Sequence, residues 1–180
     1  MRYIKLFTLM IVILLISVGC SEQKGTDEIE SFLTAYYNVS YEESNQIMDK
    51  LDEELNKQLE GKGEETIITV DTPKFGELYP KSFESYFTKK EFDILLRNGI
   101  FRFLPQLAME KKADYELQSL KQLSFTEKDD HLEYAYEVEL NELIDGQKTP
   151  FTDEVRFYMT EENGKWKISN LRFFNREYSK

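Results

Sequence analysis

The chain has one cysteine, Cys20, and one histidine, His131, in 180 residues. Beyond Cys20 there is no thiol, which excludes a structural disulfide, a thiolate metal site and a cysteine nucleophile together. Basic residues are scarce as well, 23 against 34 acidic ones, for a net charge of −11. That balance argues against nucleic-acid binding, which needs Lys and Arg to neutralise phosphates. The sequence has no HExxH, no GxSxG and no glycine-rich phosphate loop. Nothing in it calls for a metal or a cofactor. It shows no internal repeat and no low-complexity tract, and no linker long enough to split the chain.

What the sequence does contain begins with a leader. Arg2 and Lys5 precede an uncharged run, LFTLMIVILLISV (6–18), closed by Gly19-Cys20. This run is short for a membrane span, which takes about 20 apolar residues, and suits the apolar core of a secretory signal. Ser17-Val18-Gly19-Cys20 resembles the lipobox of bacterial lipoproteins, with Ser17 standing where leucine is usual. The resemblance implies cleavage before Cys20 and a diacylglyceryl group on its sulfur, with a membrane-anchored, extracytoplasmic protein as the product. Two acyl chains hold a protein stably where one binds marginally. The expected organisation is a signal at 1–19, a lipidated cysteine and polar tether at 20–27, and one domain at 28–180. With Arg2 and Lys5 removed, 21 basic residues face 34 acidic ones, a net −13. The roughly 160 remaining residues suffice for a core without staples.

The first half of the domain has helical period. Ile29, Phe32, Leu33, Tyr36 and Tyr37 share one face. Ser40 to Glu43 is a capping box opening a second helix with Ile47, Leu51, Leu55 and Leu59, which Gly61 and Gly63 stop. TIITV (66–70) reads as a short strand, and 71–87 as loop with one helical turn. Thr88 to Glu91 is a second capping box, before a helix carrying Phe92, Leu95 and Leu96 that Asn98-Gly99 ends. Pro105 suits the first turn of a following helix through Lys112.

The second half has period two. Leu132, Tyr134, Tyr136, Val138 and Leu140 alternate with polar residues, and Asp145-Gly146 and Asn163-Gly164 separate further alternating runs. Four antiparallel strands follow, with the helices covering their apolar face. The fold class is α+β. Its element order and its last strand, GKWKISNLRFF (164–174), resemble the nuclear transport factor 2-like (cystatin-like cone) superfamily. That superfamily holds isomerases and dehydratases as well as domains that only bind or assemble, some in conjugation channels. Fold alone does not choose among them.

Candidate chemistry is sparse. Asp153 shares the inward parity of Phe151, Val155 and Phe157. Beside Tyr134 or Tyr136 as phenol donor and Asn170 as amide, it would make an isomerase-type base and oxyanion site. The plainer reading places Asp153 near the start of its strand, at the sheet rim. Trp166, Tyr36, Tyr37, Phe101, Phe103 and Phe157 either line a pocket for an apolar ligand, with Tyr134 and Tyr136, or simply fill the core. His131 reads as part of a solvated turn, and Glu133, Glu137 and Glu139 as a solvated stripe or a docking face for a basic partner. The sequence favours a non-enzymatic envelope module with a protein partner, tethered through Cys20. The alternatives are a binder of a small apolar ligand and an isomerase- or dehydratase-like enzyme.

Overall fold

The computed structural model describes residues 24–59 and 83–174. The leader, Cys20, Gly61, Gly63 and the expected strand at 66–70 lie outside them. Helices α1 (Thr26–Tyr37) and α2 (Tyr41–Leu59) come first. A 3-10 turn (Phe83–Tyr86) is the one helical turn expected in that stretch, and α3 (Lys89–Arg97) and α4 (Ile100–Lys111) follow. Four strands complete the chain: β1 (Asp114–Glu127), β2 (Leu132–Ile144), β3 (Gln147–Glu162) and β4 (Lys165–Phe174). They form an open, curled antiparallel meander in the order β1-β2-β3-β4.

Helix α1 buries the face its period dictates, with Ile29, Phe32, Leu33, Tyr36 and Tyr37 all enclosed. Val39 then exchanges two backbone hydrogen bonds with Tyr115, at 3.0 and 2.7 Å, so the chain crosses the β1 edge before α2 begins. Ser40 caps α2 by accepting the Glu43 N–H on its Oγ at 3.1 Å. Helix α2 packs on α4. The Asn98-Gly99 stop of α3 stands, with Gly99 left-handed at φ 71° and its N–H donating to Leu96.

Pro105 departs from expectation. Helix α4 starts at Ile100, so Pro105 is its sixth residue and lies inside it. The left-handed Gly99 reverses the chain within one residue and leaves no loop before α4. Pro105 consequently has no N–H to offer the Phe101 carbonyl one turn back. Both tight hairpin turns are as expected, with positive φ at Asp145 and Gly146 (50°, 80°) and at Asn163 and Gly164 (54°, 75°).

The second capping box is only half made. Thr88 accepts the Glu91 N–H at 3.3 Å, but the Glu91 carboxylate does not reach back. It turns into the protein and accepts the N–H of Leu171 on β4 at 3.0 Å. Thr88 also donates its own N–H to the Ile168 carbonyl at 3.0 Å. The start of α3 thereby covers the middle of an edge strand whose backbone groups would otherwise be open.

Burial raises the Glu91 pKa above its ordinary 4.5, against the lowering effect of the Leu171 N–H, Lys90 and Arg172. The folded protein therefore binds this proton more readily than the unfolded chain does. The contribution of Glu91 is fully present below about pH 4.5 and is lost as pH rises through the folded value. Glu91→Ala leaves a buried N–H without its acceptor and should cost about 1–3 kcal/mol in urea unfolding. Glu91→Gln keeps an acceptor oxygen, should recover most of that loss, and should lack the pH-dependent component above pH 4.5. Equal losses for both variants across pH 4 to 8 would rule out the carboxylate tie.

Candidate functional site

The inner face of the sheet carries Tyr134, Tyr136 and Val138 from β2 and Asp153, Val155 and Phe157 from β3, all buried. Asp153 is not at the rim. It has no exposed surface and sits opposite Val138 in the middle of the sheet. Strand β3 begins at Gln147, directly after the tight Asp145-Gly146 turn, so Asp153 is seven residues into it. The Asp153 Oδ2 accepts the phenolic O–H of Tyr37 at 2.5 Å. Tyr37 is the last residue of α1, and its period aims it inward with Ile29 and Leu33.

The donors proposed from the sequence are elsewhere. Tyr136 pairs with Val155 and Tyr134 with Phe157, two and four residues along from the Asp153 row. That is about 7 and 13 Å of strand. The Tyr134 O–H donates to the Lys24 carbonyl at 2.6 Å, and the Tyr136 O–H to Gln122 Oε1 at 3.5 Å. Burial, then the Glu127 charge, pushes the Tyr134 phenol up to about 12. Burial, followed by Glu30 and Tyr134, also raises Tyr136. Both phenols remain protonated at neutral pH.

Asn170 faces the other way. The β3–β4 register slips between Tyr158 and Met159, making Ser169 an extra residue. A bulge reverses parity beyond it, so Ile168 and Leu171 both point inward and Asn170 faces out beside Tyr158. The Asn170 Oδ1 accepts from Arg172 Nε at 3.1 Å. Trp166 is half-buried near the β3–β4 turn, opposite Glu161 and against Gly25. Of the five ligand candidates, the inner face collects Tyr134, Tyr136 and Asp153 but not Asn170, and Trp166 stands at its end.

Rings fill the space between α1 and the sheet. Phe32 lies 5.0 Å from Phe87, 5.5 Å from Tyr36, 5.7 Å from Phe83 and 6.3 Å from Phe157, ring centre to ring centre. Most of these are edge-on contacts, the geometry that aromatic quadrupoles prefer. Tyr36, Tyr37, Phe101, Tyr134, Tyr136 and Phe157 all belong to this core, with Phe103 and Trp166 packed against it.

A third buried acid, after Glu91 and Asp153, is not singled out by the sequence reading. Glu142 has the same parity as Leu140 and therefore faces inward. Its Oε1 accepts from the Tyr115 O–H at 2.7 Å and from Lys111 Nζ at 2.9 Å. Burial first, and then Glu142, raises the Tyr115 phenol. Counting parity two residues past Leu140 would have found it.

The outer face is solvated and internally paired. Glu133 contacts His131 Nε2 at 2.9 Å, Glu137 contacts Lys121 at 3.1 Å, and Glu139 accepts from Ser119 at 2.7 Å. His131 bridges Glu133 and, at 2.7 Å, Asp130, and both contacts raise its pKa, Glu133 more strongly. Among the described residues no cluster of three or more His, Cys, Asp or Glu is placed to hold a metal ion. A shallow hollow of about 350 Å³ lies over Ala135, between Thr126, Glu133, Arg156 and Tyr158. A second, of about 610 Å³, separates Ile94 and Ile100 from Phe173 and Phe174. Asp153 lines neither.

No protein-family model matches the chain, and the comparison with curated proteins gives no match. Among solved structures it is similar to an IcmL-like type IV secretion system protein from Legionella pneumophila, at 10% identity. That match covers 82% of this chain and 87% of the other, with a TM-score of 0.47. It is also similar to the periplasmic domain of DotI, at 10% identity over 87% of this chain and 99% of that one, with a TM-score of 0.46. A third likeness, to the intermembrane-space region of the chloroplast protein ARC6, has 13% identity over 51% and 83%, with a TM-score of 0.31.

Removing the Tyr37 hydroxyl leaves a buried acid oxygen without that donor. Tyr37→Phe should cost about 1–3 kcal/mol in urea unfolding. Asp153→Asn, which keeps shape and an acceptor oxygen, should cost less. A Tyr37→Phe loss below about 0.5 kcal/mol, the range of an ordinary surface change, would mean the pair does not tie α1 to the sheet.

Proposed function

We propose that this protein is a non-enzymatic envelope lipoprotein, held through a lipid on Cys20 and acting as a binding or assembly module for another envelope protein. Its domain is read as a variant of the nuclear transport factor 2-like cone. One observation carries the non-enzymatic reading, namely that side chains occupy the inner face. A base needs room for substrate next to it and a donor aimed at the developing oxyanion. Asp153 has no exposed surface, Tyr37 bonds it from α1, and the two proposed phenols serve Lys24 and Gln122. An apolar ligand in the cone would need the volume that Phe32, Phe87 and Phe157 take up.

The anchor reading rests on the lipobox-like ending at Gly19-Cys20 and on the lone thiol. Among the described residues no helix is long and apolar enough to cross a membrane. A diacylated cysteine would supply the attachment, since two acyl chains hold where one exchanges. The net charge of −13 counted from Cys20 on keeps nucleic acid out of the partner list.

Labelling cells with palmitate and crosslinking them in place tests both halves. Wild-type protein should take up label and capture one dominant envelope protein, and Cys20→Ala should lose both. Unlabelled wild type would remove the anchor. Background capture in both strains, with label present, would remove the assembly role and return attention to small molecules.

A further inference from the structure

We propose that the domain stands on the bilayer on the sheet end that carries the β1–β2 and β3–β4 turns, with the β2–β3 turn at Asp145-Gly146 pointing away; this rests on the anchor reading above. Three contacts fix where the chain enters the domain. The Tyr134 O–H holds the Lys24 carbonyl at 2.6 Å, and Lys24 Nζ lies 3.3 Å from Glu127 at the end of β1. Gly25, at φ 82°, is seated so closely that a Cβ there would lie 3.1 Å from both Met159 and Trp166. Leu132, opposite Met159, begins β2, and Trp166 is the second residue of β4. The entry point is thus at the end where both of those turns lie.

Length does the rest. Four residue steps separate Cys20 from Lys24, and even fully extended they reach only about 14 Å. Strand β2 alone, Leu132–Ile144, has 13 residues, and so runs about 40 Å at the usual rise. A tether about one third of the sheet's length cannot let the domain turn over, which leaves standing or lying. With −13 charges from Cys20 onward, lying down would bring more of that net negative charge within the roughly 8 Å screening length of an anionic bilayer. Standing keeps most of it away. The turn end itself is mixed, with Lys24, Lys128 and Lys165 beside Asp129, Asp130, Glu161 and Glu162. The tether, not attraction, holds it at the lipid.

The test uses the chain from Cys20 to Lys180 with a fluorescent unnatural residue at Glu162 or Gln147, exposed positions flanking the two opposite turns. Cys20, the only thiol, is coupled to a dipalmitoyl maleimide lipid, and the protein is loaded on phosphatidylglycerol-containing vesicles with nitroxide headgroups. Quenching at position 162 should exceed that at 147 by about threefold or more, given the separation along the sheet. Equal quenching, or more at 147, would overturn the proposal. As a control, moving the lipid to Lys148→Cys, exposed beside the same turn, in a Cys20→Ser chain should invert the ratio, and circular dichroism checks that every chain is folded. Because the lipid is attached chemically, this outcome is separate from whether cells acylate Cys20, which the mass of the cellular protein reports.

Discussion

The hydrogen bond from Tyr37 to Asp153 joins the end of α1 to the middle of β3, and the packing of the inner face follows from where it puts that helix. A sheet with one apolar face must be covered, but hydrophobic burial has no direction. Ile29, Phe32 and Leu33 would gain about as much buried area with α1 shifted by a turn. A phenol donating to one buried carboxylate allows a single position, because any other leaves an acid in the core without that partner. The edge-on rings around Phe32 can then form as a set.

Two further buried acids repeat this arrangement on other helices. Glu91 ties the start of α3 to Leu171 on β4, and Glu142 ties the end of α4 to β2 through Lys111. Buried charges are poor sources of net stability, since desolvation consumes most of the attraction. Their common feature here is placement, with one acid locating each of the helices α1, α3 and α4 on the sheet. That distribution gives the buried acids a positional use, although Glu91 also lines the hollow between Ile94 and Phe173. Asp153 accepts from a phenol on α1, Glu142 from Lys111 and Tyr115, and Glu91 from a backbone N–H of β4.

The fold was readable in the sequence to the extent that period carries it. The helical face of α1, the alternation of β2 and the two positive-φ turns appear in the structure as the residue types require. Two local events defeated parity and length. Ser169, the extra residue in β4, moved Asn170 to the outer face, and an ordinary serine in an alternating run gives no warning of a bulge. The sequence suggests a later start for β3 than Gln147, which makes an acid in mid-sheet look like a rim residue. The Asp-Gly turn bounded that strand more tightly than the polar residues Gln147 to Pro150 suggested. Pro105 failed for a related reason, because Gly99 served both as the end of one helix and the beginning of the next. Tyr37 reads from the sequence as core or pocket lining, and its pairing with Asp153, 116 residues away, is a tertiary fact that no local pattern holds.

The two sheet edges constrain how any partner can bind. On β4, Thr88 and Glu91 occupy the backbone of Ile168 and Leu171. On β1, Val39 and Asn38 do the same for Tyr115 and Leu117. Past that point β1 continues with extra residues at Gln118 and Leu123, and with Lys121 between them. Bulges and a lysine are how natural sheets spoil an edge for strand addition. A partner would therefore have to read side chains and not backbone. On the outer face Glu137 pairs with Lys121 and Glu154 with Arg156, which weakens the long-range pull of those charges. Any recognition on that face would depend on shape at contact distance, and the proposed tether, being short, would raise the chance of meeting a partner in the same membrane.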